Sequence, residues 1–369
     1  MLILGLMLVM PLLFAGIIRV FVDKYRLITI PVDFGMEIGR VRLFGSNKTW
    51  GGTIILTLIS GFIGVLMYYS LGIQDVIATP WYGFFLGVFY NIGELVNSFI
   101  KRRMGVESGK SVLGWQAVLQ YILDQSDSIL AIMIYAGFGL GLNFWTVISI
   151  GSIGLFCHIG IDMLNHLYGS KKTANKSGMY SFYQILGYFL LSPLKILIRS
   201  KVYIPIETLN KRGIIMTSNH PSWHDPFVIL LSMDFGTFAK FVPFRYIVAH
   251  KYLDSNYGII LRITGAISHK WLSLWDKKPI EQAVEDINEG YNFIIFYEGK
   301  KTKNKLDDHD LKSGIVKIWR ATDNATVLCF QISKSHIIPT VKFKGKLTEE
   351  QKNLELKDIK SQINTIIYG

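Results

Sequence analysis

Cysteine and charge are both scarce in this chain of 369 residues. Cys157 and Cys329 lie far apart, so no disulfide framework beyond a single pair is possible and no zinc-ligand spacing is present. Charged residues make up 18% of the chain, below the roughly one quarter of soluble domains, and 50% of residues are hydrophobic. This composition indicates a membrane protein, and the low cysteine content agrees with a reducing cytoplasm.

Basic residues are missing from parts of the apolar first half. The segments after the second and fourth apolar runs have no Lys or Arg. All ten basic residues before residue 171 lie at the inner end of the first run or in the loops after the first and third runs. The positive-inside rule then predicts five spans, with the N-terminus outside and the C-terminal half in the cytoplasm. The start lacks a positive n-region, which favours a first span over a signal peptide. The predicted spans are residues 1–22, 51–73, 81–99, 118–142 and 143–167.

The second half is basic, with 29 Lys or Arg against 18 Asp or Glu from residue 171 onward. In so apolar a chain this surplus favours anionic lipid, and we expect no nucleic-acid partner. We therefore divide the chain into a five-span membrane domain (1–172), an interfacial linker of amphipathic helices (173–200) and a cytoplasmic α/β domain (201–369). Residues 181–199 are predicted to be an interfacial helix pair, because a sixth span would place the basic half outside.

Two carboxylates occur near the predicted inner end of the fourth span. Asp124 and Asp127 are three residues apart and share one helix face. Carboxylates at this depth are costly unless they are paired, hydrated or bound to a cation. They suit Mg²⁺ bound to a polyphosphate, and pairing with Lys or Arg at the membrane interface is the alternative. Basic residues of the two inner loops lie nearby in the predicted topology: Lys48, Lys101, Arg102 and Arg103.

Three motifs in order, NKTWGG (47–52), SFIKRRMG (98–105) and LDQSD (123–127), resemble CDP-archaeol synthase and its bacterial relatives. The resemblance covers about residues 1–172. Members are integral membrane cytidylyltransferases that use CTP with Mg²⁺ on a lipid phosphate, and Glu94 stands where they are expected to have Asp. The resemblance implies metal binding by Asp124 and Asp127. It also implies nucleotide binding by Asn47, Lys48, Thr49, Lys101, Arg102 and Arg103.

Short β-rich runs alternate with a helical segment in the second half, which predicts a layered α/β domain. The helical segment has Pro279 at its start, Gly290 as its stop, and Ala283, Val284 and Ile287 on one face. The apolar runs are GIIMTSN (213–219), NFIIFYEG (292–299), TVLCFQI (326–332) and HIIPTVKF (336–343).

The stretch NHPSWHD (219–225) directly follows the first of these runs. His220 and Asp225 are separated by four residues, so the carboxylate can bend back to the imidazole. Such a pair fixes the tautomer of the histidine and lets it act as a general base on a hydroxyl. His224 is adjacent to Asp225 and is the poorer partner, because neighbouring side chains diverge. The alternative is a structural histidine that caps a helix.

Four blocks in order, NHPSWHD, GAISHK (265–270), FYEGKK (296–301) and IIP (337–339), resemble the glycerolipid acyltransferases, typified by lysophosphatidic acid acyltransferase. The resemblance covers about residues 200–345. It implies that His220 deprotonates a glycerol hydroxyl with Asp225 as its partner, and that acyl transfer needs no cofactor. It further implies substrate binding by Glu298, Gly299, Lys301 and Lys270.

The leading hypothesis is a bifunctional enzyme of phospholipid biosynthesis in the cytoplasmic membrane. The second half is expected to acylate lysophosphatidate from acyl-CoA or acyl carrier protein. The first half is expected to convert the resulting phosphatidate and CTP into CDP-diacylglycerol. Two alternatives are an acyltransferase with a non-catalytic membrane anchor and a membrane scaffold without catalysis.

Overall fold

The computed structural model describes residues 2–25, 28–75, 77–108, 112–167, 176–198, 202–204, 213–220, 225–268, 278–298, 312–335 and 338–369. The chain forms two compact units. The first comprises Met1–Ser111 and Leu119–Ala174, and the second comprises Val112–Val118 and Asn175–Gly369. Each unit has a buried hydrophobic core of its own.

The first unit consists mainly of long apolar helices. Leu8, Leu56 and Leu86 are buried in its core, whereas Phe62 and Phe156 are exposed on its outside. Outward-facing aromatic and aliphatic side chains are expected where the surrounding medium is lipid. The helices are α1 (Leu2–Tyr25), α2 (Trp50–Ser70), α3 (Tyr82–Arg103), α4 (Trp115–Ile134) and α5 (Phe144–Leu167), and α4 continues as a π-helical turn, Tyr135–Gly139.

Within the described residues, four helices are long and apolar enough to cross a membrane. At about 1.5 Å per residue, 20 residues are sufficient for the roughly 30 Å of a hydrocarbon core. The first predicted span corresponds to a shorter apolar stretch, Leu4–Arg19, within α1. The count of five spans and the outside location of the N-terminus therefore stay predictions. The four candidate spans are Trp50–Ser70, Tyr82–Arg103, Trp115–Gly139 and Phe144–Met163.

Helices α2 and α3 pack through small residues. A Cβ at Gly83 would lie 2.2 Å from the carbonyl oxygen of Ser60, and one at Gly64 would lie 2.7 Å from Cα of Gly83. Membrane helices associate through close packing of this kind, because lipid provides no hydrophobic drive between them. The contact fixes the position of α3, whose C-terminal end carries Lys101 and the two arginines that follow it.

The loop between α1 and α2 folds around the buried side chain of Asp33. Its strands β1 (Glu37–Ile38) and β2 (Val41–Arg42) form a short antiparallel hairpin. Burial opposes ionisation of Asp33, but its hydrogen-bond donors outweigh burial and lower its pKa from 3.8 to about 2. The donors are the backbone N–H groups of Gly35, Phe44 and Gly45 and the guanidinium of Arg42.

We expect Asp33→Asn to destabilise this loop by roughly 2 kcal/mol at pH 7, because charge-assisted hydrogen bonds are lost. The carboxylate's contribution is present above pH 3.8 and is lost as the pH falls towards about 2. The difference in thermal unfolding midpoint between the wild type and Asp33→Asn should therefore shrink over that range in detergent solution. Asp75→Asn is the control, since Asp75 is exposed. Equal midpoints for the two variants at pH 7 would contradict the prediction.

The second unit is built on a six-stranded sheet, which confirms the predicted α/β domain. The strand order is β5-β4-β6-β3-β7-β8, with β7 and β8 antiparallel and all other neighbours parallel. The central strand is buried along its whole length, as expected for a parallel strand covered on both faces. The strands are β3 (Ile214–Ser218), β4 (Phe244–Val248), β5 (Ala266–Ser268), β6 (Asn292–Ile294), β7 (Thr326–Ser335) and β8 (Ile338–Lys346).

Helices cover both faces of this sheet. Ile214 and Met216 of β3 belong to one hydrophobic core and Ile215 to the other, in keeping with the two-residue period of a strand. The helices are α6 (Lys176–Leu191), α7 (Asp225–Ser232), α8 (Phe235–Phe241), α9 (His250–Leu253), α10 (Gly258–Ile263), α11 (Pro279–Asn288), α12 (Gly314–Ala321) and α13 (Leu356–Tyr368). Two 3-10 helices, Ser192–Leu197 and Glu349–Asn353, complete the described helices of this unit.

Helix α11 confirms the predicted start and stop. Pro279 is its first residue, and Gly290 follows its end with φ of +93°, a conformation that favours glycine. Ala283 and Ile287 are buried, as expected for the apolar face.

Helix α6 begins at Lys176, five residues before the predicted interfacial pair, and a 3-10 helix follows it. Gln184 anchors α6 to the sheet. Its side-chain Nε2 donates to the carbonyl oxygens of Phe244 at 2.7 Å and Thr264 at 2.8 Å. Two apolar side chains of this segment are exposed, Leu190 of α6 at 71% and Ile196 of the 3-10 helix at 87%.

The two cysteines are free thiols in different surroundings. Cys157 lies on α5 within the candidate span Phe144–Met163. Cys329 lies on β7 and is fully buried, and burial raises the pKa of its thiol to about 12.

Candidate functional site

The two predicted carboxylates of the first unit converge on one amide. Asn97 of α3 donates through Nδ2 to Asp124 Oδ1 at 2.7 Å and to Asp127 Oδ2 at 2.6 Å. Gly93 lies one turn earlier on α3, and a Cβ there would approach the carbonyl oxygen of Asp127 to 2.6 Å. Because Gly93 has no side chain, α3 and α4 come close enough for this contact.

The predicted basic residues at the end of α3 have different contacts. Lys101 forms an ion pair with Oδ1 of Asp124. Arg102 donates to the backbone carbonyl oxygens of Phe44 and Val106. Arg103 donates to three carbonyl oxygens of the β1–β2 hairpin region, those of Ile38, Val41 and Arg42. Both arginines therefore hold the loop that contains the NKTWGG motif.

The NKTWGG motif itself is held by a carboxylate. Lys48 lies 2.6 Å from Oε2 of Glu94, and Arg19 of α1 contacts both oxygens of the same carboxylate at 3.3 and 3.0 Å. Thr49 caps α2 by accepting a hydrogen bond from the backbone N–H of Gly52 at 3.3 Å. Asn47 is exposed.

The donor set of Asp124 and Asp127 suits a hard divalent cation. Both carboxylates accept a hydrogen bond from the same nitrogen, Nδ2 of Asn97, so they converge on one place. Mg²⁺ typically takes one or two carboxylates and completes its shell with water and phosphate oxygens. Among the described residues, no group of three or more His, Cys, Asp or Glu side chains could hold a metal by itself. The two carboxylates match the number and type of ligands that Mg²⁺ usually takes from protein.

A chain of polar contacts inside the first unit was missed by the sequence interpretation. His158 of α5 lies with Nδ1 2.8 Å from Oε1 of Gln125 and with Nε2 3.3 Å from the hydroxyl of Tyr90. Gln125 is the residue after Asp124 on α4. A histidine within a predicted span was the available signal, since ionisable residues at membrane depth are usually functional.

The predicted catalytic pair of the second unit is assembled at the carboxyl end of β3. His220 follows that strand closely, and Asp225 is the first residue of α7. Nδ1 of His220 lies 3.0 Å from Oδ2 of Asp225, whose side chain is fully buried, while 18% of the His220 side chain is exposed. With Asp225 ionised, Nδ1 carries the proton and Nε2 keeps its lone pair, so Nε2 can accept a proton.

Glu298 lies against this pair because β6 is the parallel neighbour of β3. The carboxyl ends of both strands are at the same edge of the sheet, where α/β proteins usually bind ligands. Oε2 of Glu298 accepts a hydrogen bond from the backbone N–H of His220 at 2.8 Å. Burial raises the pKa of Glu298, and hydrogen bonds from His220 and Tyr368 oppose that effect.

Two further contacts position the histidine. The ring of Phe296 stacks on that of His220 at 4.0 Å between centroids and 17° between planes. Asn219 pairs with the backbone of Ile332 on β7 in both directions, at 2.8 and 2.7 Å. The predicted binding residues Gly299, Lys301 and Lys270 lie outside the described residues, as does His224.

Comparisons with known proteins match the first and second parts of the chain to different protein families. The CDP-archaeol synthases of Saccharolobus solfataricus and Methanopyrus kandleri are 31% identical over 142 residues and 30% identical over 149 residues. These matches cover 37% and 38% of this chain and 76% and 78% of the two relatives. The chain belongs to the CDP-archaeol synthase family. The model of that family, CarS-like, matches residues 1–174, and the model of the Acyltransferase family matches residues 199–341.

Two solved structures resemble parts of the chain. An intramembrane enzyme of archaeal membrane lipid biosynthesis has a TM-score of 0.34 at 22% identity, covering 44% of this chain and 95% of its own. The 1-acyl-sn-glycerophosphate acyltransferase from Thermotoga maritima has a TM-score of 0.37 at 15% identity, covering 57% and 86%.

Both resemblances inferred from the motifs are thereby confirmed. A CDP-archaeol synthase-like cytidylyltransferase domain and an acyltransferase domain are present in one chain. With four membrane-capable helices among the described residues and membership of this family, the protein is a multi-pass membrane protein.

Proposed function

We propose that the second unit transfers an acyl group from a thioester, acyl-CoA or acyl carrier protein, to the free hydroxyl of lysophosphatidate. The observation that carries this proposal is the contact of His220 with Asp225 and Glu298 at the carboxyl ends of two parallel strands. A buried carboxylate on Nδ1 of a partly exposed histidine leaves Nε2 as the proton acceptor that a general base requires.

In the proposed reaction, the hydroxyl oxygen attacks the thioester carbonyl carbon while Nε2 of His220 removes the hydroxyl proton. The carbon–sulfur bond then breaks, and the proton passes to the departing thiolate. Asp225 stabilises the protonated imidazole between these two steps. Phe296 and the backbone contact to Glu298 keep the ring in place.

We propose further that the first unit joins phosphatidate to CTP. A phosphate oxygen of the lipid attacks the α-phosphorus of CTP, and pyrophosphate leaves. Asp124 and Asp127 would hold Mg²⁺, which neutralises phosphate charge when bound. Lys101 lies beside these carboxylates and supplies positive charge to the same place. Glu94 forms ion pairs with both Lys48 and Arg19, and Arg102 and Arg103 bond to the loop between α1 and α2. These contacts shape the loop that carries the NKTWGG motif.

The two reactions form a sequence, since the product of acyl transfer is the substrate of cytidylyl transfer. We propose that both sites face the cytoplasm, where CTP and acyl thioesters occur, and that the protein resides in the cytoplasmic membrane. The exposed apolar side chains of Leu190 and Ile196 support contact of the second unit with the bilayer interface. An acyltransferase with a non-catalytic membrane half is the second candidate, because Glu94 departs from the expected aspartate and is held in ion pairs with Arg19 and Lys48.

The test follows labelled lysophosphatidate with the purified full chain in liposomes, with acyl-CoA, CTP and Mg²⁺, and resolves the lipids by mass. We expect phosphatidate when acyl-CoA is present and CDP-diacylglycerol only when CTP is added as well. An ether-linked lipid phosphate supplied with CTP tests the archaeal type of acceptor. Phosphatidate that accumulates and never takes up cytidylate, even when supplied directly, would favour the second candidate. Absence of any acylated product with either acyl donor would refute the acyltransferase proposal.

A further inference from the structure

The C-terminal helix contributes to the acyltransferase site, although it lies outside all four sequence blocks. Ile359, Ile363 and Ile367 of α13 recur every four residues and are buried in one of the two cores of the sheet. This apolar stripe fixes α13 along its length. The next residue, Tyr368, is thereby carried to Glu298, where its hydroxyl donates to Oε1 at 2.9 Å.

Both oxygens of the buried Glu298 carboxylate are therefore engaged by donors. Oε2 accepts from the backbone N–H of His220 at 2.8 Å, and Oε1 accepts from Tyr368 at 2.9 Å. The Glu298 side chain is 0% exposed, so water does not replace a lost donor. A carboxylate accepts at both oxygens, whereas a carboxylic acid has a proton on one of them. Protonation of Glu298 thus weakens one of the two contacts.

We propose that Tyr368 is a positioning residue for acyl transfer, because its hydroxyl fixes the Glu298 carboxylate against the backbone N–H of the catalytic histidine. The chain of contacts runs from Tyr368 through Glu298 to His220. The positioning role of Tyr368 rests on the proposed acyltransferase function. In this proposal Tyr368 acts on the histidine through the Glu298 carboxylate.

The contact also sets the pH at which the carboxylate stays ionised. Burial raises the pKa of Glu298, and the hydrogen bond from Tyr368 lowers it. Removal of the hydroxyl therefore raises this pKa further, and the ionised form is lost at a higher pH. The titratable groups that face Glu298 among the described residues are His220, Asp225 and Tyr368, and Tyr297 precedes it in the chain.

The test compares Tyr368→Phe with the wild type in the full chain, measuring kcat, KM for lysophosphatidate and the pH profile of acyl transfer. We expect kcat to fall about tenfold, since one charge-assisted hydrogen bond is lost, with KM changed less than about twofold. The acid limb of the profile should move to higher pH. The matched control is Tyr246→Phe, which removes a tyrosine hydroxyl bonded to Thr264 at 2.7 Å, away from Glu298. The control should keep the wild-type profile.

A second variant separates positioning from general loss of stability. Glu298→Gln leaves no carboxyl group at this position to protonate, so the acid limb that Tyr368→Phe moves to higher pH should be lost from its profile. Adding Tyr368→Phe to Glu298→Gln should then cause little further loss of kcat. The inference is overturned if Tyr368→Phe keeps kcat within about twofold, or if kcat falls without movement of the acid limb. It is also overturned if Glu298→Gln keeps the wild-type limb, a result that remains decisive should Tyr368→Phe not fold. An inactive wild type would instead refute the acyltransferase function.

Discussion

Replacement of His220 by alanine is expected to lower acyl transfer by roughly 10²–10⁴-fold while cytidylyl transfer continues unchanged. The imidazole is the partly exposed member of the pair, because the Asp225 side chain is fully buried and contacts Nδ1. Without the ring, no group of this pair can remove the proton from the attacking hydroxyl. The measurement is the rate of phosphatidate formation from lysophosphatidate and acyl-CoA, followed by a separate assay with phosphatidate and CTP.

The chain offers a matched control for this substitution. His250 of α9 also contacts an aspartate, with Nε2 2.9 Å from Oδ2 of Asp254, but that aspartate is 57% exposed. His250→Ala should therefore keep the acyl transfer rate within about twofold, since exposed ion pairs of this kind contribute little. Equal losses in both variants would show that the role of His220 is structural. Loss of both activities in folded His220→Ala would contradict independent sites.

Substitution of Asp127 by asparagine is expected to lower cytidylyl transfer at least about 10²-fold, because a lost metal ligand removes several kcal/mol of charge stabilisation. Asparagine keeps the shape of the side chain beside Asn97 but removes the negative charge. Acyl transfer should continue at the wild-type rate. The assay supplies phosphatidate and CTP directly and varies Mg²⁺, since remaining activity should need a higher Mg²⁺ concentration.

Asp124→Asn should behave in the same way, because both carboxylates meet at the same amide. Asp75→Asn is the control, as this aspartate lies in the turn Ile73–Asp75 outside the candidate spans. If both Asp124→Asn and Asp127→Asn keep the wild-type rate and Mg²⁺ requirement, the carboxylates do not bind a catalytic metal. They would then only form ion pairs with Lys or Arg at the membrane interface.

Features with a local signature were predictable from the sequence. Helix α11 has a proline start and a glycine stop, and its apolar residues recur at helical spacing, so its bounds could be predicted closely. His220 and Asp225 lie within six positions of each other after an apolar run, and this short separation made their contact predictable. Asp124 and Asp127 are likewise one helical turn apart.

The remaining site residues act through contacts that no local pattern encodes. Tyr368 and Glu298 are 70 positions apart, and they meet only because α13 packs on the sheet. Glu94 meets Arg19 across 75 positions, and the two residues belong to different helices. Asn97 had a weak signal, a polar residue near the end of a predicted span. Its partners could not be identified before the packing of α3 on α4 through Gly93 was known.

The placement of the two cysteines has a practical consequence for labelling. Alkylating reagents react with thiolates in water. Cys329 is fully buried with a raised pKa, and Cys157 lies within a candidate span. The two native cysteines should therefore react little with maleimides. A single cysteine introduced into either the loop around Asp33 or the turn at Asp75 would report on which side of the membrane that segment lies, and would turn the predicted sidedness into a measured one.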